Sequence, residues 1–420
     1  KDQYMTLSEE LTWRGFVNQM TFKDIKELDD KKRTFYWGVD PSADSMQIGN
    51  FAAAMMVRHF INYGYSAILL VGGATGMIGD PDGKDIERNL KPLEEVAKNK
   101  KAIAAQYNKV FAGQEFEIVD NYDWFKDFGY MDFLRTIGKH VPMRQMLGRE
   151  FVQTRLSEDG AGISYAEFSY SLIQGYDFLH LFKEKNATLQ VCGADQWGNS
   201  IAGVDLIRRI AGGEAHVYTT PLVINKATGK KFGKTEDGAI WLDENKTSIY
   251  KFYQFWLNAD DEGVEDYMKI YTLFTKDQLE NVMKDFRLNP GGRIAQKTLA
   301  YEVTALVHGK NRADSVKKVS ETLFGDRNYS DLTTEDFELM KQELPCLKAE
   351  IDVTMLTQVL VEAGLATSNT EARRFLESSA VYINGEQLPL NKTTFGNENS
   401  IQGFAVLRVG KNKNCLVTLS

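Results

Sequence analysis

The sequence predicts an α/β fold built on a parallel sheet, followed by an α-helical region and a small α+β unit. Two apolar runs, Thr34–Val39 and Ser66–Val71, bracket a stretch in which Ile48, Phe51, Ala52, Met55, Met56, His59 and Phe60 recur at helical spacing. A strand, a crossover helix and a second strand make a βαβ unit, whose strands are parallel. Residues 247–324 carry helical periodicity, as in Ile249-Tyr250-Phe252-Tyr253-Phe255-Trp256 and Leu299-Val303-Leu306-Val307. The tail closes on two alternating runs, Phe404–Val409 and Asn414–Leu419, which read as paired strands.

The chain has 420 residues, enough for two or three domains, with 43% hydrophobic and 26% charged residues, the composition of a soluble globular protein. No apolar run approaches the roughly 18 residues of a membrane span, and the start, Lys1-Asp2-Gln3-Tyr4, is not a signal peptide and lacks Met, which predicts a trimmed chain. Cys192, Cys346 and Cys415 lie far apart without metal spacing, so a cytoplasmic protein with neither zinc nor disulfides is expected. A net charge of −8 argues against a general polyanion binder but leaves room for a local basic patch.

In order, residues 1–33 read as a charged, mainly helical segment, with Thr21 as N-cap of a Phe22–Leu28 turn. After the strand 34–39, Asp40-Pro41-Ser42 ends the ladder and a helix starts near Gln47. A helix over 93–111, a strand over 116–119 and a helical stretch over 125–160 follow, then a helix to about His180. Leu189–Cys192 reads as a buried strand, 193–199 as the turn into a helix ending near Ala211, and Thr220–Ile224 as a further strand. Residues 325–346 are polar and turn-rich and read as a linker; in the tail, helices are expected over 355–363 and 370–379, with a turn at Asn384-Gly385.

The chemistry is concentrated in a few stretches. The strand 34–39 runs into a helix N-terminus through a turn with small residues (Gly38, Ser42, Ala43, Gly49), a ready site for phosphate and equally an ordinary βα turn. Gly72–Lys84 is glycine-rich but matches neither common nucleotide loop. Tyr170, Gln174 and Asp177 are spaced four and three apart and line one helical stripe. Lys84 and Arg88 share a face if helical, whereas Lys230, Lys231 and Lys234 taken alone read as a solvated loop. The five histidines are scattered and read as packing or surface residues.

Four separated motifs fit one family. Gln47-Ile48-Gly49-Asn50, Gly72–Asp80, Gly193-Ala194-Asp195-Gln196-Trp197-Gly198-Asn199 and Lys231-Phe232-Gly233-Lys234-Thr235 occur in the order and with the flanks seen in bacterial tyrosyl-tRNA synthetases, class I aminoacyl-tRNA synthetases, which the chain resembles over essentially its full length. The resemblance implies a Rossmann-type catalytic domain (34–225) with a helical dimer-interface insertion at about 121–165. A mobile signature loop and connector (226–246), an α-helical anticodon-side domain (247–324), the linker 325–346 and a C-terminal RNA-binding module (347–420) would follow.

The activity so implied is tyrosine–tRNA ligation. The tyrosine carboxylate attacks the ATP α-phosphorus, pyrophosphate leaves, and the tyrosyl group passes to the 3′ end of tRNA(Tyr). The nucleophile is already ionised, so the first step needs positioning and charge stabilisation, not a general base. By resemblance, Tyr36 and Asp177 would meet the phenol, and Tyr170, Gln174 and Asp80 the α-ammonium. Thr75, Asp40 and Gln190 would lie close by. Gly38, Ser42, Gln47, Gly49, Asn50, Gly193, Asp195 and Gln196 would receive ATP, with Lys231, Lys234, Thr235, Lys84 and Arg88 at its phosphates.

ATP with Mg2+, L-tyrosine, tRNA(Tyr) and a second copy of the chain are the implied partners, with no metal site of the chain's own. Residues 347–420 hold seven Lys/Arg and seven Asp/Glu, so only Arg373, Arg374, Arg408, Lys411 and Lys413 stand out as a tRNA-binding cluster. Gln47 and Asn50 replace two signature histidines, and Ser42 stands where threonine is common; amides still donate hydrogen bonds but cannot become cationic, so weaker pH dependence near 6–7 is expected. Asp82 puts an additional carboxylate beside Lys84, able either to weaken the anion site or to help hold Mg2+. The rival readings are a non-enzymatic RNA-binding protein on a synthetase scaffold and a related synthetase for another aromatic amino acid. The full set of loop lysines opposes the first, and Tyr36 with Asp177 opposes the second.

Overall fold

A computed structural model describes residues 4–420; the first three positions of the expected N-terminal helical segment lie outside the described residues. The chain forms two compact units, one running to Asp243 and including Asp260–Pro290, the other made of Glu244–Ala259 and Gly291–Ser420. The region expected as one helical domain, 247–324, is therefore shared, with 260–290 belonging to the first unit.

The first unit is organised on a five-stranded sheet of β1 (Thr34–Val39), β2 (Ser66–Val71), β3 (Phe116–Asp120), β4 (Ala187–Gly193) and β5 (His216–Thr220), in the order β3-β2-β1-β4-β5. Every neighbouring pair is parallel. The chain steps outward from β1 to β3, then returns to the other side of β1, so the strand order reverses between β1 and β4. In open α/β sheets the crevice at the carboxyl ends of such a pair is where ligands bind.

Alternation along β1 explains its two faces. Phe35 and Trp37 point to one side, with ring centroids 5.4 Å from Phe60 and 5.6 Å from Tyr107. Tyr36 points to the other, edge-on to Phe178 at 5.3 Å. Phe178 belongs to the helix Tyr170–Lys185, which crosses the helix Trp197–Leu206 at Gly203; a Cβ there would stand 2.8 Å from Phe178 Cβ, so only glycine permits this approach.

Several local expectations change. The last strand of the sheet is His216–Thr220 rather than Thr220–Ile224, because Pro221 has no N–H for a ladder and Leu222 and Ile224 are exposed. Thr21 caps no helix; its Oγ1 accepts the Val217 N–H at 3.0 Å and fastens the N-terminal segment to β5. The stretch 125–160 is not one helical run. Tyr122–Phe125, Tyr130–Thr136, Met143–Leu147 and Glu150–Leu156 are short helices separated by turns.

In the second unit, β8 (Cys346–Ala349), β9 (Val381–Ile383), β10 (Glu386–Gln387), β11 (Phe404–Val409) and β12 (Lys413–Leu419) form a sheet of order β10-β9-β11-β12-β8; β6 (Lys234–Thr235) and β7 (Gly238–Ala239) are a hairpin of the first unit. On one face Ala405, Leu407, Val409, Cys415 and Val417 share a core with Leu356, Val359, Leu360 and Ala372. On the other, Phe404, Val406 and Leu416 are covered by Tyr329, Leu332, Phe337 and Met340, with Phe337 stacked on Phe404 at 4.9 Å. The segment 325–346 is thus a packed cover for the sheet and not a loose linker. Its polar composition hides a few apolar residues that are each almost fully buried. Among the described residues, no helix is long and apolar enough to cross a membrane.

Candidate active site

At the carboxyl ends of β1 and β4 lies a cavity of about 390 Å3. β1 and the residue after it contribute Tyr36, Gly38 and Asp40; β4 and the turn after it contribute Gln190, Gly193, Asp195 and Gln196. The turn after β2 supplies Thr75 and Asp80, and the helix Tyr170–Lys185 supplies Tyr170, Gln174 and Asp177. Ser42, Gln47, Gly49, Asn50, Lys84, Arg88, Lys231 and Lys234 complete the wall. One anticipated residue of this set is not in it. Thr235 Oγ1 donates to the Gly238 carbonyl at 3.2 Å and holds the β6–β7 turn.

The polar groups in this cavity are wired to one another. Tyr36 and Gln190 are register partners across β1 and β4, and Tyr36 Oη and Gln190 Oε1 are both buried without a hydrogen-bond partner. Nearby, Asp177 is buried and accepts from Asn121 Nδ2 at 3.1 Å and from Trp124 Nε1 at 2.9 Å. Burial pushes its pKa well above the carboxylate range, and these two donors oppose the shift. Asp40 accepts from Thr75 Oγ1 at 2.6 Å and from the Tyr170 hydroxyl; burial raises its pKa to about 6. Asp80 accepts from Gln196 Nε2 at 2.7 Å and from Asn199 Nδ2 at 3.3 Å, and burial raises its pKa too.

At the start of the helix Ile48–Asn62 the Gln47 N–H donates to Asn50 Oδ1 at 3.1 Å, so the Asn50 side chain caps the turn by its oxygen. The lysine loop is clamped to this helix start. Phe232 is buried and stacks on Tyr267 at 4.2 Å, while Lys231 and Lys234 on either side stay exposed. Desolvation, and then the charges of Arg88, Lys231 and Lys234, lower the pKa of Lys84. Four cations therefore share one field beside an anion-ready helix N-terminus, an arrangement suited to a polyphosphate.

Asn121, Trp124 and Arg149 carry no role in the sequence reading, and Asn199 enters it only as the end of the Gly193–Asn199 motif. Asn121 directly follows β3 at the sheet's ligand edge, the one signal that could have found it. Arg149 had no such signal. Its Nη2 pairs with Asp82 Oδ2 at 2.8 Å, so the additional carboxylate is engaged by a cation. In the second unit, Arg373, Arg374, Lys411 and Lys413 are exposed, and Arg408 is half-buried, its guanidinium over the Tyr382 ring at 4.3 Å and its Nε buried.

A doubly wound parallel sheet with a polar cavity at its switch point and a lysine loop at a helix start is the arrangement expected of a class I aminoacyl-tRNA synthetase. The family model described as tRNA synthetases class I (W and Y) matches residues 28–325, and the chain belongs to that family. A second model, the SYY-like C-terminal domain of tyrosine–tRNA ligase, matches residues 336–417. The tyrosine–tRNA ligase of Geobacillus kaustophilus is 43% identical over 98% of this chain and 99% of its own, and tyrosine–tRNA ligase 1 of Bacillus subtilis is 42% identical over the same shares. The crystal structure of a C-terminally truncated mitochondrial tyrosyl-tRNA synthetase from Aspergillus nidulans superposes with a TM-score of 0.70 at 30% identity, covering 77% of this chain and 95% of that one. Within the class, the chain falls among the tyrosine–tRNA ligases.

Proposed function

We propose that this chain activates L-tyrosine with ATP and transfers the tyrosyl group to tRNA(Tyr). The observation that carries this reading is the cavity floor. Tyr36 Oη and Gln190 Oε1 lie buried and unpartnered there, and Asp177 is held by two donors. A phenol supplies the missing partners and phenylalanine does not, so the recess favours tyrosine over other aromatic amino acids. Asp80, Tyr170 and Gln174 hold the α-ammonium, and the carboxylate is turned toward the α-phosphorus. Gly38 and Gly193 leave room for the adenylate, and Asp195 meets the ribose.

Gln47, Asn50 and Ser42 donate to the phosphates, and Lys84, Arg88, Lys231 and Lys234 stabilise the charge that develops as pyrophosphate leaves. Mg2+ accompanies ATP and neutralises phosphate charge. Asp82 does not serve as its ligand in this reading, being paired with Arg149. Exposed Tyr130, Met131, Met143 and Tyr165 support the insertion 121–165 as a homodimer contact. Arg373, Arg374, Lys411 and Lys413 offer phosphate contacts to tRNA in the cytoplasm.

Tyrosine-dependent exchange of pyrophosphate into ATP by the purified chain tests the reading. Exchange with tyrosine and little with phenylalanine or tryptophan is expected. No exchange at saturating ATP and Mg2+ overturns it.

A further inference from the structure

We propose that Arg149 is a positioning residue for tyrosine activation, holding Asp80 and neutralising Asp82 at the same time. The proposal rests on the reading of Asp80 as the ammonium partner. Four hydrogen bonds close a ring. Arg149 Nη2 donates to Asp82 Oδ2 at 2.8 Å, and Arg149 Nη1 donates to Asn199 Oδ1 at 2.8 Å. Asn199 Nδ2 donates to Asp80 Oδ2 at 3.3 Å, and the Asp82 backbone N–H donates to Asp80 Oδ1 at 3.0 Å. Each oxygen of Asp80 thereby receives a donor from a residue that Arg149 holds, beside the Gln196 Nε2 donor to Oδ2 at 2.7 Å.

The guanidinium has a built seat. A Cβ on Gly198 would stand 2.5 Å from Nη2, so that glycine leaves room for it, and the Phe151 ring lies 4.7 Å from the guanidinium carbon. The Arg149 side chain is 18% exposed and that of Asp82 30%. Asn199 is 1% exposed, so losing the arginine leaves a buried amide oxygen without its donor. Two donors at fixed directions are what a planar guanidinium provides and an ammonium does not. Asp82 lies two residues before Lys84. Its carboxylate, once freed, would oppose the positive field that receives the phosphates.

The two arms separate in kinetics. In pyrophosphate exchange, Arg149→Ala is expected to raise KM for both tyrosine and ATP by roughly tenfold, the scale of a lost hydrogen bond to a charged group. Arg149→Lys keeps a cation beside Asp82 and should raise KM for tyrosine while leaving that for ATP near the parent value. Adding Asp82→Asn to Arg149→Ala should restore KM for ATP and leave KM for tyrosine high. A merely structural arginine would give no such split. If Arg149→Lys behaves as the parent for tyrosine, or if Asp82→Asn fails to restore KM for ATP, the proposal is overturned while the functional reading stands. Absence of exchange in the parent enzyme overturns both.

Discussion

Tyr36 and Gln190 face each other in register across β1 and β4, and each leaves a buried oxygen without a hydrogen-bond partner in the same cavity. A buried unpartnered hydroxyl costs folding free energy and is kept where a ligand completes it. Tyr36→Phe should therefore leave the melting temperature unchanged or raised, since the phenyl ring and its contact with Phe178 stay. KM for tyrosine should rise about three- to tenfold, one neutral hydrogen bond at roughly 1 kcal/mol. Thermal unfolding and exchange kinetics on the same preparation measure both. A lowered melting temperature with unchanged KM contradicts the assignment.

Asp177 gains its orientation from residues distant in sequence, Asn121 and Trp124. Asp177→Ala should lose discrimination between tyrosine and phenylalanine and also remove the acceptor of the half-buried Trp124 indole, while the Asn121 amide keeps its bond to Thr75 Oγ1 at 3.1 Å, destabilising by about 1 kcal/mol. Trp124→Phe removes one donor and keeps the aromatic volume, so it should erode selectivity less. The effects of Asp177→Ala and Trp124→Phe on selectivity should be strongly non-additive. Additive effects on the tyrosine-to-phenylalanine ratio of kcat/KM would show that the indole acts independently of the carboxylate.

The contrast between Asp177 and its partners marks what the sequence could tell. Tyr170, Gln174 and Asp177 were legible as a helical stripe, and β1 and β2 as apolar runs, because each signal is local. Asn121 and Trp124 were not, since they join Asp177 only through the fold, 56 and 53 residues away. Composition also misled over 325–346. Tyr329, Leu332, Phe337 and Met340 sit among polar neighbours, and only the second face of the C-terminal sheet gives them something to bury against. Pro221 was the overlooked boundary that moved the fifth strand back to His216–Thr220.

Asp40 is the carboxyl that burial brings toward the neutral range in a site that lacks the signature histidines. Burial raises its pKa from 3.8 to about 6, against the hydrogen bonds from Thr75 and Tyr170. The folded chain thus binds this proton more tightly than the unfolded chain. Stability from this group is gained as pH falls through about 6 and lost as it rises through the same range. Asp40→Asn should accordingly raise the melting temperature more at about pH 7 than at about pH 4. If the ionised form assists activation, kcat/KM for tyrosine in the parent should fall below about pH 6, and Asp40→Asn should flatten that limb. A parent profile flat between about pH 5 and 7 would show that ionisation of Asp40 does not govern the activation step.

Lys234 is exposed on a loop whose neighbour Phe232 is buried. Its charge is held near the cavity without contributing to packing, so Lys234→Ala should leave the melting temperature unchanged. The rate of adenylate formation should fall roughly 10²-fold, the cost of one transition-state donor. Single-turnover quench-flow at saturating tyrosine and ATP measures this directly. An unchanged rate would refute the loop role.

Gly233 tests the attachment of that loop to the helix start. Its φ is +91°, a region side chains avoid, and a Cβ there would stand 2.9 Å from Ile48 Cβ. Its carbonyl accepts the Ile240 N–H at 3.0 Å, and the Ile240 carbonyl accepts the Ile48 N–H at 3.3 Å. The lysine loop and the Gln47–Asn50 turn are therefore tied through one short chain of backbone bonds. Gly229→Ala is the control, because its φ of +71° carries the same conformational cost while nothing lies within 4 Å of its Cβ. Both variants should lose about 1 kcal/mol of local backbone preference. Only Gly233→Ala should push the loop off Ile48, slowing adenylate formation and raising KM for ATP. Equal kinetics in the two variants would show that the loop works without this attachment.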